Sequence, residues 1–392
     1  YSEQPTYITF PTDISWKSKE SEHFTAVFRD GREDLAVKVL NAAEKAHNTL
    51  TPIFPEGPGH TWILIADFRD SLNGYALNFP YSHIVFYAAP PNPGGQLGNS
   101  DDWIYSVVLH EYVHILHIYP ASGIWKLLRT VFGTWVVPNG MMPSHLHEGL
   151  ATFLETHETQ GGRGRGTVFS MYQRMAVEEK VWGNSFAPLD LMDGSATRWP
   201  YGTSPYFFGS KLYEELWNKK GKQGVHDLTS AYSSNWPYFI NTPLEDTYQV
   251  DYPTLWSNLF EKERLKSQEE IAQIKKETLS KLTYLTQSRS FKGGLTLSPD
   301  KTQVALVVET PREMAHIRTW NIATRKSEIL VDIGDSAFSD LCWIKGKTSE
   351  KIFYITSSNK NAYVVNELFS IDLQTKKTTP LKIGEEPLNH VH

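Results

Sequence analysis

The sequence has little of three features that would narrow its class at once: cysteine, long apolar runs and clustered basic charge. Its single cysteine, Cys342, excludes an intrachain disulfide and therefore a disulfide-built scaffold. No apolar run reaches the roughly 18 residues needed to cross a bilayer, so we expect no membrane-spanning segment. The net charge of −6 and the scattered basic residues give no reason to expect a nucleic-acid partner. The densest basic run, residues 161–166, is expected to be a flexible surface loop.

Two short runs of residues carry the chemistry. His110, Glu111 and His114 form an HExxH pattern, and His147-Glu148-Gly149-Leu150-Ala151 follows it along the chain. Residues four positions apart lie on one face of a helix, so the two imidazoles can bind one ion. Glu111 is placed to act as a general base towards a zinc-bound water. The runs therefore predict a catalytic site with one Zn²⁺ per chain, the alternative being a helix whose histidines bond backbone or carboxylates.

A catalytic zinc has three protein ligands, so one more ligand is needed. Glu148 is the best candidate, because it stands early in a predicted helix and the small Gly149 allows close packing on the HExxH helix. Thr152 and Glu155 are candidates for hydrogen bonds that orient the histidines. The alternative third ligands are His145, His147 and Glu155.

The residues after HExxH exclude the metzincin class. That class needs a glycine where His117 stands and a histidine where Pro120 stands. His117 would crowd the metal face, so a structural role is expected for it.

Periodicity and capping residues predict a mixed α/β order in residues 1–99 and a helical part after it. Strands are expected at 24–28, 62–66 and 82–89, and helices at 34–50, 100–118, 144–158, within 168–217 and at 251–285. The run Ser100-Asp101-Asp102 is expected to cap the HExxH helix, and Pro120 to end it. Ser144 is expected to cap the Glu148 helix. The charged end of the last helix, 267–286, is expected to be a connecting helix.

After Thr286 short strands alternate with turns. The pattern around Leu297 returns at Trp343, and that around Trp320 returns at Phe369. This spacing falls in the ~40–50 residues of a propeller blade, and about two repeats are present where closure needs roughly four to eight. A small β-sandwich is the alternative.

The repeats resemble TolB-like and WD-type β-propellers, most clearly in Leu297-Ser298-Pro299-Asp300 and Phe369-Ser370-Ile371-Asp372. The resemblance implies that residues 287–392 are the start of a longer propeller, with the rest in the same parent protein or on a second chain. The chain opens on Tyr1 without a signal pattern, so a mature or trimmed form is expected. Together these features favour a bacterial periplasmic, surface or secreted protein.

HEYVH followed by LHEGLATFLE resembles the gluzincin metallopeptidases, in particular peptidase-MA-like families related to the alanyl-aminopeptidase and leukotriene-hydrolase type. Their NEGxxxYLE run supplies the third zinc ligand, which implies that Glu148 is the ligand. Their Pro-Tyr-x-x-Gly segment supplies an oxyanion donor, which implies that role for Tyr206 in Pro205-Tyr206-Phe207-Phe208-Gly209. A buried structural aromatic is the alternative for Tyr206. The resemblance covers roughly residues 20–265.

The sequence departs from that family in two places. Residues 121–143 form an insertion between the two runs, and its Trp125, Phe132 and Trp135 could cover the cleft. No Gly-x-Met-Glu-Asn segment precedes the HExxH helix; the strand at 82–89 stands there and offers an edge for an extended peptide. The missing carboxylate favours an endopeptidase over an aminopeptidase.

We therefore predict an α+β protein. Residues 1–266 would form a thermolysin-like zincin domain with a small mixed sheet, and 267–286 a connecting helix before the propeller blades of 287–392. The predicted function is zinc-dependent hydrolysis of a peptide or protein substrate. One alternative is a propeller that binds protein or glycan with the zincin as a scaffold, and another is hydrolysis of an amide in cell-wall peptide.

Overall fold

The chain is a mixed α/β protein of two compact units with three sheets, none of which closes within the part described. The first unit comprises Asp13–Asp67 and the described part of 72–278, and the second comprises residues 10–12, Phe68–Asp70 and the described residues after 278. The computed structural model describes residues 10–70, 72–91, 98, 100–180, 192, 199, 201–278, 280–281, 283–286, 291–310, 313–334, 340–360 and 363–381.

The first unit contains a five-stranded mixed sheet. Its strands follow the spatial order β1-β2-β3-β5-β4, with β2, β3 and β5 parallel and the two outer strands antiparallel to their neighbours. The strands are β1 (Trp16–Glu20), β2 (Phe24–Arg29), β3 (Thr61–Ala66), β4 (Asn73–Leu77) and β5 (His83–Tyr87).

The strand order corrects one prediction. The strand expected at 82–89 exists as β5, but it lies between β3 and β4 and offers no edge. The edge belongs to β4, which the sequence analysis missed. β4 is short and begins with Asn-Gly, a pair that ordinarily marks a turn, so nothing local identifies it as a strand.

The described part of the first unit also contains eight α-helices. The predicted HExxH helix is confirmed as α2, and the Asp102 side chain caps it by accepting a hydrogen bond from the Tyr105 N–H at 3.1 Å. The helices are α1 (Glu33–Leu50), α2 (Trp103–Ile118), α3 (Gly123–Phe132), α4 (Ser144–Glu158), α5 (Thr167–Glu178), α6 (Ser204–Ser234), α7 (Asn241–Tyr248) and α8 (Tyr252–Ile274).

Two helix boundaries differ from the predictions. Ser144 is the first residue of α4, and Pro143 takes the capping position because its ring fixes φ and it lacks an N–H. The helix predicted to run to 285 ends at Ile274, so the connecting helix expected at 267–286 is wrong over its second half. The residues beyond are rich in Ser and Thr, which are weak helix formers. Much of 179–200, between α5 and α6, lies outside the described residues.

Helix α2 is the centre of the first unit. Twelve of its 16 residues are buried, including the polar His110 and Glu111. It packs against α1, α4 and the edge strand β4. Because α2 is buried on nearly every side, its polar groups need partners from these neighbours.

Two glycines bring α4 against α6. A Cβ built on Gly149 would lie 2.4 Å from the carbonyl carbon of Gly209, and one on Gly209 would lie 2.2 Å from the His145 oxygen. Only glycine fits such an approach of two backbones. The sequence analysis expected Gly149 to allow packing on the HExxH helix; its close neighbour is instead α6, the helix that carries Tyr206.

The second unit contains two four-stranded antiparallel sheets in which each strand pairs with the next along the chain. Equivalent turns recur: Asn321 Oδ1 accepts from the Thr324 N–H at 2.8 Å, and Asp372 Oδ1 accepts from the Thr375 N–H at 2.9 Å. One sheet consists of β6 (Phe291–Leu297), β7 (Gln303–Thr310), β8 (Glu313–Asn321) and β9 (Ser327–Gly334), and the other of β10 (Leu341–Lys345), β11 (Glu350–Lys360), β12 (Tyr363–Asp372) and β13 (Thr378–Leu381).

Candidate metal centre

Three side chains that can ligate a metal converge between α2 and α4. His110, His114 and Glu148 each offer one ligand atom, and these atoms lie within 4.8 Å of one another. One oxygen of Glu148, Oε2, is 3.3 Å from Nε2 of His110 and 3.3 Å from Nε2 of His114. Of the residues that the structure describes, these form the one group of three or more His, Cys, Asp or Glu with this geometry. The group could hold a metal ion.

Glu155 orients the first histidine from two turns further along α4 than Glu148. Its Oε2 lies 3.1 Å from Nδ1 of His110, and both side chains are buried. With Nε2 turned towards Glu148, Nδ1 is placed to donate a hydrogen bond to Glu155. This carboxylate–imidazole pair fixes the ring orientation in the way expected of a metal-ligating histidine.

Arg163 holds Glu155 in place. Its guanidinium Nη2 is 3.0 Å from Glu155 Oε2, and its backbone N–H donates to Glu155 Oε1 at 3.0 Å. Burial raises the pKa of Glu155, but the charge of Arg163 and the bond from His110 outweigh it and bring that pKa down to about 2. Glu155 therefore stays ionised although it is only 3% exposed.

Glu111 lies under the edge strand. A Cβ built on Gly74 of β4 would lie 2.9 Å from Cγ and Oε1 of Glu111, so the strand passes directly over this carboxylate. Burial raises the pKa of Glu111, and the nearby His110 and His114 only partly oppose it. A carboxylate with a raised pKa accepts a proton more readily than an exposed one.

Tyr206 stands in the first turn of α6, beside the ligand group. The centroid of its ring lies 6.2 Å from that of the His110 ring. The same ring also contacts Arg163, whose guanidinium carbon is 4.7 Å from the ring centroid. Burial and the neighbouring Glu148 raise the pKa of Tyr206. The hydroxyl thus keeps its proton at neutral pH and can serve as a hydrogen-bond donor.

A cleft of about 430 Å³ opens onto these side chains. The residues of β4 from Asn73 to Ala76 form one wall, and Arg163 and Tyr206 stand among the others. The residues lining it are Asn73, Gly74, Tyr75, Ala76, Val107, His110, Glu111, His114, Ile118, Met142, Ser144, His147, Glu148, Arg163 and Tyr206.

Some expected residues do not join the ligand group. His145 and His147 lie outside it, and the ring of His147 contacts His117 with 5.3 Å between centroids. His117 is buried, and its backbone oxygen accepts a hydrogen bond from Asn139 at 3.0 Å. Thr152 is fully buried but forms no hydrogen bond with either histidine. The aromatic side chains named in the 121–143 insertion do not line the cleft: Trp125, Phe132 and Trp135.

Arg163 and the strand β4 are the two parts of the site that the sequence analysis missed. The run 161–166 was expected to be a flexible surface loop, and this prediction is wrong for Arg163, whose side chain is only 12% exposed and pairs with Glu155. Gly162 has φ +91°, and Cβ atoms on Gly162 and Gly164 would lie 2.8 Å from atoms of Thr156. These glycines allow close packing onto α4 rather than flexibility, which is the signal that could have identified Arg163.

Comparison with known proteins gives no match to any protein-family model or to any curated protein. Within the described residues, no helix is both long and apolar enough to cross a membrane. The arrangement could hold a metal ion, accept a proton at Glu111 and donate a hydrogen bond from Tyr206, all around one cleft.

Proposed function

We propose that the first unit is a zinc-dependent metallopeptidase with a zincin-like fold. The observation that carries this proposal is the convergence of His110 Nε2, His114 Nε2 and Glu148 Oε2 beside Glu111 in one cleft. Three ligands of this type with an open position are the composition of a catalytic zinc site.

Two of the three ligand separations suit a tetrahedral ion. Ligands about 2.0–2.2 Å from zinc and separated by the tetrahedral angle lie roughly 3.3–3.6 Å apart. The observed separations of 3.3 Å from Glu148 Oε2 to His110 Nε2 and to His114 Nε2 fall in that range. When bound, zinc would supply a Lewis acid that polarises a carbonyl group and lowers the pKa of water.

Four other side chains have separate roles in the proposed hydrolysis. Glu111 takes the proton from the attacking water and passes it to the leaving nitrogen, as its position under β4 and its raised pKa favour. The Tyr206 hydroxyl donates a hydrogen bond to the carbonyl oxygen, which becomes negatively charged as the carbonyl carbon is attacked. Glu155 and Arg163 hold His110 in the orientation that ligation requires.

The edge strand supports a peptide as substrate. β4 pairs with β5 on one side, and its residues 73–76 line the cleft on the other. An extended peptide can add to such an edge through backbone hydrogen bonds. Among the described residues that line the cleft, Glu111 and Glu148 are the only carboxylates, and the lack of a further one to hold a free amino terminus favours an endopeptidase.

For the second unit we propose two β-propeller blades. Two sequential four-stranded sheets with equivalent turns at Asn321 and Asp372 support this assignment. The same observation favours a second candidate function, a propeller that binds protein or glycan while the first unit serves as a scaffold.

The decisive experiment separates metal binding from hydrolysis. We expect the purified chain to bind about one zinc ion and to cleave an unstructured protein such as casein. Glu111→Gln should keep the zinc and lose at least about 10³-fold in kcat, because water loses its base. His110→Ala should lose the zinc itself.

Surface variant Glu328→Gln in β9 is the control and should keep both properties. A chain that binds no zinc at saturating concentration would support the scaffold function instead. Full activity of Glu111→Gln with zinc bound would contradict the assignment of the base.

A further inference from the structure

Helix α3 differs from the other seven helices of the described chain, because none of its residues is buried. Its apolar side chains project into solvent: Leu127 is 66% exposed, Val131 72% and Phe132 60%. With Ile124 they recur at the spacing of a single helix face. A bare apolar face of this kind marks a surface that something else covers.

The opposite side of α3 is fastened to the protein. Trp125 Nε1 donates to the Asn235 oxygen at 2.9 Å, and the Arg129 guanidinium donates to the Val136 oxygen at 3.0 and 2.7 Å. The helix is therefore held in one orientation, with its apolar face turned outwards.

The apolar face continues beyond the helix. Trp135, which is 72% exposed, packs on Phe79 with 4.1 Å between ring centroids, and the Thr134 hydroxyl donates to the Pro80 oxygen at 2.8 Å. We define the apolar patch as Ile124, Leu127, Val131, Phe132, Trp135 and Phe79.

Helix α3 carries basic residues and no acidic one. The segments 75–83, 121–143 and 235–244 contain no Asp or Glu, although the chain has 44 acidic residues and a net charge of −6. Apart from His83, their charged residues are Lys126 and Arg129, both on α3. Partial burial lowers the pKa of the Arg129 guanidinium, and Glu56, from outside these segments, lies near enough to oppose that shift. A basic helix on an acidic protein favours a negatively charged partner.

The shape of the patch favours a lipid surface over a peptide. No residue of α3 is buried and none lines the cleft, so its apolar side chains project from the surface as insertion into a lipid interface requires. Leu, Val, Phe and Trp beside Lys and Arg are the composition of helices that lie in a membrane interface. We propose that the apolar patch binds the surface of an anionic lipid bilayer, with α3 parallel to it and its apolar side chains among the acyl chains.

Vesicle binding tests the proposal without reference to metal or hydrolysis. The full chain should co-sediment with vesicles of equal parts phosphatidylcholine and phosphatidylglycerol, and more weakly with phosphatidylcholine alone. The double variant Leu127→Glu, Val131→Glu should bind the mixed vesicles at least about tenfold more weakly, because it puts two charges on the inserting face.

The matched control is the double variant Leu265→Glu, Ile274→Glu. These two apolar residues of α8 are 53% and 47% exposed, so the control adds the same charge and removes the same kind of surface elsewhere. It should bind like the unchanged chain. All four positions are exposed, and unchanged circular dichroism would verify folding.

Equal binding by the two double variants, or no binding to vesicles by the unchanged chain, would overturn the proposal. So would a concentration-dependent dimer that only the α3 variant abolishes, because a second copy would then cover the patch. Quenching by lipids brominated on their acyl chains gives a second readout. Trp135→Phe should remove part of that quenching.

Discussion

Arg163 is the buried cation on which the arrangement of the ligands depends. It is 12% exposed, its partner Glu155 is 3% exposed, and Glu155 in turn holds His110. Removing one member of a buried ion pair leaves the other without compensation. The residue therefore links the stability of the first unit to the orientation of a metal ligand.

We expect Arg163→Met to lower the free energy of unfolding by up to about 3–5 kcal/mol, because the buried Glu155 would lose its guanidinium partner and keep only His110. Urea denaturation at neutral pH measures the loss. Arg165→Met is the control: this exposed arginine donates to the backbone oxygens of Thr156 and Thr159 and pairs with no buried acid. Its cost should be about 1 kcal/mol. Equal costs for the two variants would mean that the buried pair contributes nothing specific.

The protonation of His110 predicts how metal affinity varies with pH. Burial and Arg163 lower the pKa of His110, but bonds to Glu148 and Glu155 outweigh them and raise it to about 9 in the metal-free site. Below that pH the imidazole is protonated, and ligation needs it neutral. Metal binding at pH 7 should therefore release a proton, and affinity should rise by up to about tenfold per pH unit between pH 7 and 9.

Titration calorimetry at pH 7 in two buffers with different ionisation enthalpies counts the released protons. Glu155→Gln removes one of the carboxylates that raise the pKa of His110, so it should release fewer. An affinity that is flat between pH 7 and 9, with no proton released, would show that His110 is already neutral in the metal-free protein.

The contact between helices α4 and α6 brings Glu148 and Tyr206 together. Gly149 directly follows Glu148, and Gly209 lies one turn after Tyr206. The two glycine backbones touch, since a Cβ on either would lie under 3 Å from the other residue. The distance between the two helices at this contact therefore determines how far the candidate ligand Glu148 lies from the hydrogen-bond donor Tyr206.

Gly149→Ala should lower the free energy of unfolding by about 1–3 kcal/mol, because the added methyl group forces the two helices apart. It should also reduce kcat more than zinc binding, since Tyr206 moves away from the ligand group. Gly59→Ala, where an added Cβ meets no atom within 4 Å, is the control and should change stability by less than about 0.5 kcal/mol. Unchanged stability of Gly149→Ala would contradict the close packing.

The elements that sequence predicted well are those defined by local signals. Asp102 and Pro120 bracket α2, and the spacing of His110 and His114 places both on one face of it. The position of β4 depends on pairing with β5 and on passing over Glu111, contacts that no local pattern encodes. Arg163 was missed for a related reason. Its partner Glu155 is near in sequence, but Gly162 and Gly164, which allow the close approach to α4, are residues that ordinarily indicate a flexible loop.

At the scale of the whole molecule, the two units differ in how their chemistry is distributed. The first unit holds the buried ionisable residues His110, Glu111 and Glu155 and, beside them, Arg163, whose side chain is 12% exposed. The second unit is built from sheets whose core is apolar, with residues such as Val307, Ile317 and Ile352 fully buried. A ligand of the cleft should therefore stabilise the first unit selectively, since only binding to a folded site shifts a folding equilibrium.

Hydrogen exchange followed by mass spectrometry tests this selectivity. Zinc at about 100 times its dissociation constant should stabilise the site by about 2.7 kcal/mol, which slows exchange through opening of that unit by up to about 100-fold. Peptides from α2 and α4 should show the slowing, and peptides from β7, β8 and β11 should not. His110→Ala should remove the effect in the helices. Equal slowing in the strands of the second unit would contradict selective stabilisation, because zinc would then act on the chain as a whole rather than through the ligands of the first unit.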